Sequence, residues 1–127
     1  MADKALPEPT DVSRDFWAGA ARGEFMLQYD AKAGRSQFFP RPVSQFSSGN
    51  LDWKAATGGG TLLAVTGAAP LQGVDGPGRV GIVKLDEGPR VFARVLKAGP
   101  ALAPGARMRL TWLEPQDGVR LYAFEPA

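Results

Sequence analysis

From residue 25 onward, apolar and polar residues mostly alternate, and the one stretch with helical spacing lies before that point. In "DVSRDFWAGAARGEF", Phe16, Trp17, Ala20 and Ala21 recur at steps of three and four, so a short helix would place them on one stripe. Asp11 or Ser13 is suited to capping its start, and Gly23, just after Arg22, is suited to closing it. The polar, proline-rich "MADKALPEPT" ahead of it reads as a flexible arm over residues 1–10. Next come two short strands, "EFMLQY" and "SQFFP", joined by the turn "DAKAGR", in which Gly34 supplies a permissive backbone. Beyond the loop "VSQFSSGN", the segments "LDWKAA", "TLLAVTGAA", "RVGIVKL", "VFARVL", "RMRLTW" and "VRLYAF" are separated by Gly- and Pro-rich turns. Met108, Leu110 and Trp112 alternate with Arg107, Arg109 and Thr111 at a period of two, while Val80, Ile82, Val83 and Leu85 read as a mostly buried strand.

This pattern predicts a mainly β protein in three parts: the arm at 1–10, a helix and small hairpin unit over 11–50, and about five strands over 51–127. Five short strands with tight turns fit a five-stranded OB barrel, an SH3-like barrel or a small sandwich, and periodicity alone does not choose among them. A chain of 127 residues suits a single core.

Composition narrows the chemistry. The chain has no Cys and no His, which removes disulfides, thiolate or imidazole metal sites and the usual nucleophilic triads. No catalytic residue is assigned on these grounds. Lys+Arg 15 against Asp+Glu 13 leaves a net charge of +2 with no basic tract, so nucleic acid is not the expected partner. No run of about 18 apolar residues and no signal-peptide pattern occurs, so the expected location is the cytoplasm, away from membranes.

Several features occur together in a recognisable order: "DFWAGAARGEF", then "SQFFPRPV", Trp53 in "LDW", "GGGTLLAVT", the "LDEG" turn at 85–88 and the closing "VRLYAFEPA". In this order and spacing the chain resembles the zinc-ribbon plus OB-fold acyl-CoA-associated family once called domain of unknown function thirty-five. The resemblance implies an N-terminal helix, a rubredoxin-like zinc ribbon and a five-stranded OB-fold barrel. It also carries a departure, because Asp30, Ala33, Ser44 and Ser47 stand where the family has four cysteines. One carboxylate, two hydroxyls and a methyl do not hold tetrahedral zinc, so the ribbon is expected to be degenerate and metal-free. Packing would then have to replace the metal, and Phe38, Phe39, Phe46 and Trp53 are the available rings.

Members of this family are small non-catalytic subunits of thiolase-like enzymes that make or break carbon–carbon bonds in acyl-CoA thioesters, including aldolase or lyase steps of steroid or aromatic degradation. The resemblance therefore implies a hetero-oligomer with a thiolase-like partner, a coenzyme A thioester as substrate of the complex, and no cofactor bound by this chain. The candidate coenzyme A or partner contacts are Phe16, Trp17, Arg35, Phe39, Arg41 and Trp53. Arg41 leads because Pro40 and Pro42 stiffen its segment, with Arg35 and Lys32 behind it. Each has a structural reading as well: the helix rings docking onto the body of the domain, and Arg41 stacking on Trp53. The glycines at 58–60 read as a turn rather than a phosphate cradle, and Asp86 with Glu87 as a solvated turn rather than an acid/base pair. The alternative from another class is a stand-alone OB module for single-stranded nucleic acid or a small ligand.

Overall fold

A computed structural model describes residues 7–71, 73–74 and 76–127, so most of the expected arm, residues 1–6, lies outside the described residues. Helix α1 runs from Arg14–Ala21. Ser13 occupies its N-cap position, yet its hydroxyl accepts the Thr10 N–H at 2.9 Å instead of bonding the first turn, and Asp11 pairs with Arg14. Gly23, at φ 80°, ends the helix by donating to the Ala20 carbonyl at 2.9 Å. The buried edge is Phe16, Gly19 and Ala20, with Trp17 at its margin. Ala21, expected on that stripe, faces solvent, because the helix docks through Gly19: a Cβ there would lie 2.3 Å from Met26 Cγ.

A small antiparallel sheet follows, with strands β1 (Met26–Asp30), β2 (Arg35–Gln37) and β3 (Leu51–Ala55) in the order β2-β1-β3. The hairpin is the one expected, with Gln28 opposite Gln37 and Asp30 opposite Arg35. Strand β3, assigned from the sequence to the barrel, instead pairs along its whole length with β1, Met26 opposite Ala55 and Asp30 opposite Leu51. Its alternation suits either sheet. What assigns it is the free edge of β1, continued by the Ala56 N–H donating to the Phe25 carbonyl at 2.8 Å.

The barrel therefore begins at Gly59, not Leu51. Strands β4 (Gly59–Ala68), β5 (Gly78–Leu85), β6 (Arg90–Val95), β7 (Arg107–Trp112) and β8 (Tyr122–Pro126) close in the order β4-β5-β6-β8-β7. Strands β6 and β8 are parallel, Val95 opposite Phe124, and β7 returns to pair with β4, Gly60 opposite Met108. This is the OB-fold among the three architectures that the strand count allowed.

Its interior is Leu62, Val83, Leu85, Val91, Val95, Met108 and Phe124, each 3% exposed or less. Ile82, expected inside, is 37% exposed: β5 alternates, and Val83 and Leu85 take the inward positions. The glycines at 59 and 60 are strand residues that permit close approach. A Cβ on Gly60 would stand 2.6 Å from Val83 Cγ1 and 2.7 Å from the Lys84 carbonyl oxygen. Asp86 is no free turn residue either, since both its oxygens accept from Arg107 at 2.8 Å, and Glu87 accepts the Thr57 N–H at 2.8 Å.

Candidate functional site

The small sheet and its loops are held by polar side chains. Asp30, the last residue of β1, is completely buried. Its Oδ1 accepts the Ala33 N–H at 3.0 Å, and its Oδ2 accepts the hydroxyls of Ser44 and Ser47 at 2.5 Å each. The four positions singled out as replaced zinc ligands thus converge on one carboxylate. Ser44 Oγ in turn accepts the Phe46 N–H at 3.0 Å, and Ser47 Oγ the Gly49 N–H at 2.9 Å, so the carboxylate organises both turns. Hydrogen bonds from Ser44, Ser47 and Ala33 outweigh the effect of burial and hold the Asp30 carboxyl down to about 2. Among the described residues no group of three or more His, Cys, Asp or Glu could hold a metal ion. The donors at this knuckle are occupied by one another.

Two glutamines pin the next loop. Gln37 donates from Nε2 to Gln28 Oε1 at 2.8 Å and to the Val43 carbonyl at 3.2 Å. Gln28 clamps the Arg41 main chain from both sides, donating to its carbonyl and accepting its N–H, both at 2.8 Å. Neither glutamine stood out in the sequence. The available signal was their cross-strand position in the hairpin, where two amides facing one another inward can satisfy each other.

Behind that loop lies an aromatic cluster joining all three parts of the fold. Phe16 sits at its hub, 5.2 Å from Phe25, 5.4 Å from Phe38, 6.0 Å from Phe39 and 6.0 Å from Tyr122 of β8, centroid to centroid. Burial pushes the Tyr122 hydroxyl up to about 12. Of the four rings expected to pack the small unit, Phe38 and Phe39 join this cluster. Trp53 packs at the margin of the core, and Phe46 sits under Arg35 instead.

The structure divides the six sequence-derived candidates. Phe16 is 0% exposed, so it supports the surface and does not touch a partner. Phe39 is 46% exposed and, with exposed Arg41 and with Val43 at 71%, forms a projecting loop. Trp17 and Trp53 are half-buried; Trp53 lines a cleft of about 500 Å³ with Gln28, Pro42 and Val43. No stacking of Arg41 on Trp53 occurs; the two cation–ring contacts among the described residues are Arg35 over Phe46 and Lys54 over Tyr29, each at 3.9 Å. Arg35 belongs to a different cleft, between the small sheet and the barrel, and Lys32 is bonded to Ser48 at 2.9 Å. Among the described residues no helix is long and apolar enough to cross a membrane.

Comparison with known proteins places this geometry. The family model described as the ChsH2 C-terminal OB-fold domain matches residues 53–113, which take in β4 to β7. A chain of the solved Ltp2-ChsH2(DUF35) aldolase superposes with a TM-score of 0.82 at 22% identity, covering 95% of this chain and 98% of that one. That likeness extends the shared fold through the helix and the small sheet. No curated protein matches the chain.

Proposed function

From the match of residues 53–113 to the ChsH2 C-terminal OB-fold domain model, we propose that the protein is a non-catalytic accessory subunit of a thiolase-like acyl-CoA enzyme. In this reading the partner makes or breaks a carbon–carbon bond in a coenzyme A thioester, as an aldolase, lyase or acyltransferase. This chain stabilises the complex and helps to bind the acyl-CoA. The observation that carries the reading is the near full-length likeness to a chain of the Ltp2-ChsH2(DUF35) aldolase, with the helix, small sheet and barrel all included. The chain's own chemistry agrees with it: without Cys or His, the usual nucleophile–base arrangements cannot be built, whereas a docking subunit needs neither.

The contact surface in this reading is the loop over residues 39–43. Phe39 and Val43 supply exposed apolar area, Arg41 an outward charge, and Trp17 and Trp53 the flanks. Gln28 fixes the loop backbone before any partner arrives, which lowers the entropy lost on binding. An exposed aromatic with an adjacent arginine on a rigid support is the composition of an interface hot spot.

The test is co-expression with a thiolase-like enzyme from the same source, followed by size-exclusion chromatography and acyl-CoA cleavage and condensation assays with and without this chain. A complex of fixed ratio whose activity depends on this chain is expected. Phe39→Glu should weaken the complex at least about tenfold, the usual consequence of placing a charge in a desolvated anchor. Separate elution, with partner activity indifferent to this chain, overturns the proposal.

A further inference from the structure

A second site lies where the turn end of β2 faces the β5–β6 hairpin across a cleft of about 500 Å³. Three cations line it: Arg35 from the small sheet, and Lys84 and Arg90 from the barrel. Lys84 and Arg90 are direct cross-strand partners on β5 and β6, so their side chains rise side by side from the same face. Two like charges in that relation oppose strand pairing. No salt bridge neutralises Arg35, Lys84 or Arg90 among the described residues, whereas Arg107 is paired with Asp86, and Arg109 and Lys97 with Glu125. Strands β4, β5 and β6 contain no Asp or Glu at all.

Glu87 is the one acidic group in the cleft, and it offsets a single charge. Its Oε2 is already committed to the Thr57 N–H, and its Oε1 is buried without a hydrogen-bond partner. Arg35 lies over the Phe46 ring with its Cζ 3.9 Å from the centroid, a cation–ring contact that restrains the guanidinium beside the cleft. Concavity, a positive excess from Arg35, Lys84 and Arg90 over Glu87, and a guanidinium restrained against Phe46 form a receptor for clustered negative charge. Phosphate oxygens match it best, because a carboxylate presents only one charge to three donors.

We propose that this cleft binds a small phosphate-bearing anion with at least two adjacent phosphate groups, held by Arg35, Lys84 and Arg90. Gln37 and Gln45 also line the cleft. Such an anion also bridges the small sheet to the barrel, so its binding would stabilise their junction. The proposal adds a site away from the 39–43 surface and shares its ligand class with the accessory-subunit reading, because coenzyme A carries a diphosphate; the isolated chain tests it, so its failure is read separately from failure of the complex.

The experiment is calorimetric and NMR titration of the full chain with inorganic pyrophosphate, with ADP, and with a short single-stranded oligonucleotide, at low and at physiological salt. Saturable binding of pyrophosphate or ADP is expected, with shifts centred on 35, 84 and 90. Arg35→Gln or the pair Lys84→Gln/Arg90→Gln should weaken it about tenfold or more, in line with the loss of charge-assisted hydrogen bonds. These are surface substitutions, and an unchanged thermal transition confirms that each variant folds. Arg14→Gln, which removes an exposed charge outside the cleft, should leave binding unaltered. Tighter binding of ADP than of pyrophosphate identifies a nucleotide as the source of the phosphates, and equal binding identifies the phosphates alone. Absence of saturation, equal losses in Arg14→Gln and the cleft variants, or an oligonucleotide that outcompetes both small ligands overturns it.

Discussion

The small sheet and the barrel fill their interiors with different materials. Inside the barrel, Leu62, Val83, Leu85, Val91, Met108 and Phe124 meet one another, and stabilisation comes from apolar area removed from water. The small sheet sends Leu27 from one face into that same apolar cluster, but on its other face Asp30, Gln28 and Gln37 are 0%, 6% and 2% exposed, and what they bury are hydrogen bonds. An apolar core tolerates loss of one contact by relaxation, but a polar knuckle depends on every partner being present. The small sheet is therefore the more brittle part, and its brittleness is electrostatic. The two parts meet at Phe16, whose ring touches both.

The difference is testable first at the barrel. Phe124→Ala removes a fully buried ring paired beside Val95 and should cost about 3–5 kcal/mol, enough to lower the unfolding transition of the entire chain, small sheet included. Urea unfolding followed by circular dichroism, and by fluorescence in a Trp17→Phe/Trp112→Phe background that leaves Trp53 as the reporter, measures this. If the small sheet kept its own transition after the barrel was lost, the two would be independent, and the aromatic junction would not couple them.

A smaller effect separates backbone approach from mere turn chemistry within β4. Gly60→Ala drives a methyl against the Lys84 carbonyl oxygen and Val83, and should destabilise by about 1–3 kcal/mol. Gly67→Ala, in the same strand with nothing within 4 Å of its Cβ, should be neutral or stabilising by up to about 1 kcal/mol through the unfolded chain. Equal behaviour of the two in thermal unfolding would show that the approach of β4 to β5 is loose at Gly60.

Local pattern foretold the helix, the first hairpin and most of the barrel, because period and turn residues are local properties. The places where it failed share a cause. Strand β3 has an alternation that fits either sheet, and only the open edge of β1 decides its place. Ile82 is as apolar as Val83, and only closure of the barrel decides which of them faces inward. Convergence of Asp30, Ala33, Ser44 and Ser47 followed from a family resemblance in which those positions share one site. The cleft of Arg35, Lys84 and Arg90 had no such guide, since it joins residues some fifty positions apart that no periodicity relates.

The subtlest consequence of a polar knuckle is its response to acid. The Asp30 carboxyl lies at about 2 in the folded chain against an ordinary value of 3.8, so unfolded chains take up its proton first as the pH falls. The stability it contributes is fully present above about 3.8 and is lost as the pH drops through about 2. Asp86 is also lowered, chiefly by its hydrogen bonds from Arg107, and weakens in the same direction. That pair, however, is half-exposed and clips a barrel that already has an apolar interior. Amide exchange across this pH range should therefore show residues 26–55 opening before 59–126. Asp30→Asn should bring that opening to neutral pH and remove its acid dependence, because the neutral amide keeps the shape but loses the charge that the two hydroxyls stabilise. Asp86→Asn should leave the small sheet's profile where it was. Simultaneous opening of sheet and barrel in the unaltered protein would mean that the Phe16 junction outweighs the knuckle, and that the sheet borrows its stability from the barrel.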